Sequence, residues 1–247
     1  MRRSFLASCF LLLTALPVAA QTLDLQQILP TGDATVSGRI IQYVLIITLL
    51  SVAPGLLIMA TSFTRFVVAF SFLRSGLGLQ STPANLILIS LALFMTFFVM
   101  SPVFEKAWTE GLDPLMKNQI SEEQAYVKMT EPFRDFMAKN VREKDLALFE
   151  DIAEQKSLNI SRSGPPDLRV LVPAFMISEL RRGFEIGFLI ALPFLIIDLI
   201  VATLTMSMGM MMLPPTVIAL PFKVLFFVLI DGWHLLVGSL LNSFTVL

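Results

Sequence analysis

Long uncharged apolar runs alternate with polar stretches along this chain. The first, Ile40–Ala60, is long enough to cross a bilayer as a helix, since roughly 20 residues at about 1.5 Å each match the hydrocarbon thickness. Pro54-Gly55 interrupts it, which predicts a kink or an early stop. Phe66–Leu73, between Arg65 and Arg74, is too short to cross and reads as an extension of that helix beyond the break. A polar turn over Gly76–Asn85 follows, and Leu86–Phe104 is the second uncharged run. Beyond Ile186 the apolar character resumes and persists past Asp198 and Lys223 to a weakly polar end, Val237–Leu247.

The most distinctive interruption is Met206-Ser-Met-Gly-Met-Met-Met-Leu-Pro-Pro215, where five of the first seven residues are methionine. Pro214 and Pro215 withhold two amide donors and clash with a preceding helical turn. The run from Ile186 to Phe222 therefore breaks, and it breaks at the methionines. Helix, Met-rich bend and second helix make a hairpin with an apolar tip that repacks easily, because methionine is unbranched and its thioether is soft. Two readings of the tip stand: core filler packed into a neighbouring helix, or a gasket of Met208, Met210, Met211 and Met212 lining a pore.

From Glu105 to Arg182 the pattern changes. This stretch holds 26 of the chain's 37 charged residues, 12 basic and 14 acidic. Ser121-Glu-Glu-Gln124 is a capping-box pattern, and Thr130-Glu131-Pro132 predicts a helix restarting with proline in its first turn. Leu146, Phe149, Ile152 and Ala153 form an apolar stripe at helical spacing. Asn159–Asp167 reads as an exit loop. Pro173 then opens a helix on which Glu179 faces Arg182 at i+3 and Arg181 faces Glu185 at i+4. Gly183 and Gly187 make a small-xxx-small step that permits close helix approach. The implied organisation is a leader over 1–20, a polar lead and first apolar hairpin over 21–104, a charged helical insert over 105–172, and a second apolar hairpin over 173–247. The fold class is all-α, with membrane-protein-like helical hairpins.

Composition narrows the class. At 247 residues, 55% hydrophobic and 15% charged, with mean hydropathy +0.78, the chain is too apolar for a soluble domain. The net charge of −1 gives no footing for nucleic acid. Arg2 and Arg3, the apolar Phe10–Leu16 and the small residues Val18-Ala19-Ala20 read as a secretory signal peptide. Leu6-Ala7-Ser8-Cys9 is not a lipid-attachment site, because the apolar core follows Cys9. A mature chain from near Gln21 would hold no cysteine and start outside the cytoplasm. Arg65 and Arg74, with no acid between them, then mark the cytoplasmic side, which returns the insert to the periplasm. The hairpin tip would turn inward without a basic residue, an anomaly for a simple span.

Catalytic chemistry has little to work with. The single histidine, His234, lies three residues after Asp231, with no evident nucleophile nearby, and no metal, phosphate-loop or paired-cysteine motif occurs. The expectation is a non-enzymatic protein with no cofactor and no metal. Asp198 and Lys223 are different: each stands alone in an apolar run, where a charge costs at least ~2.5–3.5 kcal/mol at the bilayer centre. They flank the tip, 12 residues from Met210 and 11 from Met212. Opposite charges at matched depth suggest pairing, within a hairpin or between copies, and a role in assembly. The alternative is a proton- or ion-conducting subunit relaying through Asp198, Lys223 and His234.

Several segments resemble the FliP family of flagellar biosynthetic proteins: Thr64-Arg65 through Phe72-Leu73-Arg74, Gln80-Ser-Thr-Pro83-Ala-Asn85 and Thr96-Phe-Phe-Val-Met100-Ser-Pro102. Met210-Met-Met-Leu-Pro-Pro215, Leu220-Pro-Phe-Lys223 and Leu229-Ile-Asp-Gly-Trp-His-Leu-Leu-Val-Gly238 do so too. The likeness runs from about Ile40 to the end, and the leader fits the flagellar branch better than the virulence one. The resemblance implies the core of a type III export gate in the inner membrane and flagellar basal body. Five copies would join one FliR and several FliQ in a short helical, ring-like spiral that passes unfolded flagellar proteins, with FlhA and FlhB completing the apparatus. It also implies that the hairpins are lifted out of the bilayer plane, so that the charge-free tip points into a lumen and Asp198 and Lys223 make contacts between subunits. Pro214 and Pro215, from their own chemistry, read as the hinge of the tip.

Overall fold

The computed structural model describes residues 36–79, 85–156, 164–209 and 214–244. The leader over 1–20 and the polar lead up to residue 35 lie outside the described residues. So do 80–84 of the polar turn, 159–163 of the exit loop with the two residues before it, and Met210–Met212 of the tip. Every described element is a helix, and no strand occurs among the described residues. The chain divides into two compact units, Met1–Leu50 and Ser51–Leu247. Of the first, only the opening turns of α1 (Val36–Met59) are described, where Thr48 Oγ1 donates to Val44 O.

Within the second unit, the break expected at Pro54-Gly55 comes five residues later. Helix α1 continues to Met59; Thr61 and Ser62 form the turn, with Thr61 Oγ1 donating to Ile58 O. A second helix, α2 (Phe63–Leu77), then begins and ends at Gly78, whose φ of 76° is left-handed and closes the last turn onto Arg74 and Ser75. Arg65 and Arg74 thus both sit on this second helix.

Helix α3 (Asn85–Lys106) runs back antiparallel to α2, with Arg74 donating to Asn85 Oδ1 where they meet. It continues through a π-helical segment, Ala107–Leu112, into the short α4 (Asp113–Met116). The charged stretch then folds as α5 (Glu122–Asn140) and α6 (Glu143–Gln155). Ser121 and Gln124 form the reciprocal capping box that the sequence spacing implies. Pro132, however, lies inside α5 and does not restart a helix. In the expected stripe on α6, Ala153 is buried, Leu146 and Phe149 are half-buried, and Ile152 is exposed.

Helix α7 (Leu168–Ser207) is 40 residues long. It starts at an Asp167 cap, five residues before the start expected at Pro173, and carries both Pro173 and Pro193 internally. It ends where the methionines begin: Met208 and Gly209 form a turn, with Gly209 at φ 73°. Helix α8 (Pro215–Leu229) returns antiparallel, and α9 (Gly232–Asn242) follows after a bend of 63° at Ile230-Asp231. Among the described residues, Asn85–Met116 and Leu168–Ser207 are long and apolar enough to cross a membrane, and the bent α8–α9 pair makes a third if counted as one span.

One core joins these elements. Phe66, Phe70 and Leu73 of α2, Met100 and Val103 of α3, Phe136 and Met137 of α5, Phe175 and Phe194 of α7, and Leu240 of α9 are all buried in a single apolar cluster. Each large side chain so buried contributes roughly 1.5–3 kcal/mol. The charged helix α5 therefore shares the core of the apolar helices, and Leu146 of α6 packs against it.

Candidate functional site

The site is built on the seam between α2 and α7. Arg65 meets Glu179, Val68 meets Gly183, Phe72 meets Gly187, and Gly76 meets Ala191. Both numbers rise together, so the two helices run parallel. The α7 side is a ridge of every fourth residue, Glu179, Gly183, Gly187 and Ala191, which falls on one helix face. A Cβ at Gly187 would lie 2.7 Å from Phe72 Cβ, and one at Gly183 would lie 3.0 Å from Val68 Cβ. Both glycines are thus at backbone-to-side-chain contact with α2.

Parallel packing of α2 and α7 fixes which ends coincide. The α2–α3 turn and the α7–α8 tip lie toward one end of the helices. The charged helices and residue 244 lie toward the other, because α7's first turns pack on α5 and α6. There Arg142 N–H donates to Ser178 Oγ at 3.1 Å, and Ser178 Oγ–H donates to Asp145 Oδ2 at 2.7 Å. One residue on, Glu179 accepts from Arg65 Nε at 2.8 Å and from Arg65 Nη2. Glu179 thus turns to α2 and not to Arg182, as its i+3 spacing suggested. Arg181 does pair with Glu185, at 2.9 Å on the exposed face. At the start of α7, hydrogen bonds from the Arg169 side chain, and then from its backbone N–H, hold the Asp167 carboxyl down at about 2 against an ordinary 3.8.

Toward the tip, Lys223 on α8 is 4% exposed. Its Nζ donates to Asp198 Oδ2 at 2.5 Å and to Gly76 O at 2.9 Å. The pair is therefore made within one chain, and Lys223 also closes the end of α2. Asp198 remains 30% exposed, and its Oδ1 is buried without a hydrogen-bond partner. Beside the pair lies a cavity of roughly 800 Å³ lined by polar groups including Ser71, Arg74, Ser75 and Thr216. Phe194 packs against Phe226 and Phe227 one turn away, at 6.3 and 6.2 Å between ring centroids.

Beyond this layer the hairpin is apolar. Met208 is 72% exposed at the end of α7. It lines an entirely apolar groove with Ile200, Leu204, Ile218 and Phe222. Pro214 caps α8 in an extended conformation and Pro215 is its first residue, the position where a missing amide costs least. Of the four tip methionines, only Met208 is among the described residues. Asp231 and His234 are not joined by any hydrogen bond or ion pair. Asp231 sits at φ 50°, ψ 52° in the elbow between α8 and α9, and both residues are exposed. Among the described residues no group of three acids, histidines or cysteines could hold a metal.

Sequence reasoning missed Glu179 as Arg65's partner and Gly76 O as an acceptor for Lys223. The four-residue ridge was half visible, in Gly183 and Gly187. Extending it to Glu179 and Ala191 would have placed the acid on the packed face.

Known proteins are similar to this chain in sequence over most of its length. The profile of the FliP family matches residues 46–240. The flagellar biosynthetic protein FliP of Rhizobium meliloti (strain 1021) is 66% identical over 212 residues, which are 86% of each chain. The protein of that name from Bacillus subtilis (strain 168) is 52% identical over 217 residues, 88% of this chain and 97% of the relative. That of Caulobacter vibrioides is 48% identical over 229 residues, 93% of this chain and 85% of the relative. With most of its length matched by the profile and by relatives at such identities, the chain belongs to the FliP family.

Proposed function

We propose that this chain is the pore-forming core subunit of the flagellar type III protein export gate, in the inner membrane at the flagellar basal body. It assembles as five copies with FliR and FliQ, alongside FlhA and FlhB, and passes unfolded flagellar proteins without itself catalysing a reaction. Its leader is removed, and the charged helices face the periplasm. The observation that carries this reading is the hairpin α7–α8. Its outer half is apolar and largely exposed, as at Leu199, Leu204, Met208, Val217 and Phe222. An exposed apolar surface of this extent calls for a cover, whether lipid or protein, and the chain between its two arms is methionine-rich.

Several such tips around one axis make a ring of soft apolar side chains. An apolar constriction excludes water and therefore ions, and methionine repacks around polypeptides of varying sequence. Gly183 and Gly187 set the hairpin against α2, Pro214 and Pro215 set the return of the chain, and Asp198–Lys223 fixes the register of the two arms. The test is conductance of the purified assembly in planar bilayers. Replacing Met208 and Met210–Met212 by alanine raises ion leakage while the complex still assembles; unchanged conductance removes the gasket reading.

The polar cavity beside Asp198 and Lys223 favours one rival, an ion- or proton-conducting subunit. His234 does not line that cavity, so the relay would lack its third member. Conductance that follows pH without any export substrate, and is lost in Asp198→Asn, supports the rival.

A further inference from the structure

Arg65 divides its donors between two partners. Nε and Nη2 engage the Glu179 carboxylate. Nη1 instead donates to the carbonyl and Oγ of Ser243, at 2.8 and 2.7 Å. The guanidinium carbon lies 3.6 Å from the centre of the Phe244 ring. That ring in turn meets Phe66 of α2 at 5.4 Å and stacks on Phe136 of α5 at 6.1 Å. Phe244 is thus wedged between the apolar helices and the charged ones.

The two sides of this joint differ in how they can open. If Ser243 and Phe244 leave, Arg65 keeps a two-point fork to Glu179, so no uncompensated charge stays buried. If Glu179 leaves, a guanidinium is stranded. Ser243 caps α9, with its Oγ–H donating to Leu240 O at 2.6 Å, while Phe244 lies beyond the cap and its backbone N–H bond to Leu241 is long, at 3.3 Å. Phe244 can swing away without unwinding the helix, and Ser243 gives up only its cap. One residue before Glu179 on α7, Ser178 holds the junction of α5 and α6 by its own bonds, so detachment loosens α5 without releasing it.

We propose that Ser243–Phe244 is a releasable latch, received by Arg65, that sets how firmly the charged helix α5 is held on the apolar bundle. Glu179 is the fixed half of the joint and the latch is the movable half. The experiment is hydrogen exchange by mass spectrometry on the full chain in detergent, comparing the natural protein with Phe244→Ala and Phe244→Leu.

Phe244→Ala is expected to speed exchange about tenfold, locally, in α9's last turn and in 133–140 of α5. Residues 66–77 of α2 and 183–207 of α7 keep their rates. Phe244→Leu, which keeps an apolar side chain but not the ring, gives a smaller rise in the same segments and serves if the alanine variant does not fold. Unchanged exchange over 133–140 overturns the proposal. An equal rise through α2 and α7 also overturns it, since Phe244 would then be ordinary core.

Discussion

Arg65 and Glu179 stand 114 positions apart in sequence, yet form a two-point ion pair with both side chains fully out of solvent. The pair closes the upper end of the α2–α7 seam, four residues before the first glycine of that seam. Burying two charges is repaid only when geometry and further hydrogen bonds are good. Here Glu179 accepts at both oxygens, and Arg65 also serves Ser243.

Removing one partner of this pair strands the other. Glu179→Ala is expected to cost roughly 3–5 kcal/mol, and Arg65→Ala a similar amount. The double replacement Arg65→Met with Glu179→Leu should be milder than either single change. Thermal melts in detergent check the order, and a double variant as damaged as the sum of the singles contradicts it.

The glycine seam predicts a ranking. A methyl group at Gly187 meets Phe72 Cβ and ring carbons within 3 Å, near the Phe72 backbone and not at a flexible side-chain end. Gly187→Ala should cost about 1–3 kcal/mol by overpacking. Gly183→Ala, against Val68 at 3.0 and 3.1 Å, should cost less. Equal melting temperatures for the two variants would show that α2 shifts freely on α7.

The Asp198–Lys223 pair is lopsided. Asp198→Ala leaves a nearly buried ammonium with only Gly76 O to hold it, whereas Lys223→Met leaves a carboxylate that still reaches solvent. The aspartate change should therefore be the more damaging, to stability and to recovery of oligomer by size-exclusion chromatography. Oligomer recovered at the natural yield from Asp198→Ala would separate the pair from assembly.

Asp167 links the fold to acid. Its carboxyl falls from 3.8 to about 2 in the folded chain, held by Arg169. A lowered acid contributes stability above its unfolded value and loses it as pH falls through the folded one. The α7 cap is thus fully effective above about pH 4 and fades toward pH 2. Asp167→Ala should cost about 0.5–2 kcal/mol near neutrality, discounted because the side chain is partly exposed. Its melting temperature should converge on that of the natural protein by pH 2. A gap that persists at pH 2 would assign the effect to the caps alone and not to the charge.

The elbow between α8 and α9 is equally specific. A Cβ at Gly232 would lie 2.2 Å from the Phe227 ring, and that ring is held by Trp233 at 5.5 Å. Gly232→Ala should open the 63° bend or lower the melting temperature by several degrees. Distances between spin labels on α8 and α9 measure which occurs.

The chain's periodicity and breakers determined a good deal by themselves. Gly209, at a left-handed φ of 73°, closes α7 and Pro214-Pro215 opens α8, and such constraints act locally and need no partner. The Ser121 capping box is legible for the same reason, as is the Arg181–Glu185 pair, one turn apart on a solvated face. Tertiary structure decided what local signals could not. Pro132, Pro173 and Pro193 stay inside helices because packing on the shared core outweighs a lost hydrogen bond. In sequence, Arg65 is a cation beside an apolar run with no acid near it. Its acid lies on α7, brought alongside only because Gly183, Gly187 and Gly76 let two helices run parallel at close range. Spacing along a chain cannot reveal a partner 114 residues away; only the packed seam, which puts Glu179 on the same face as its small neighbours, does.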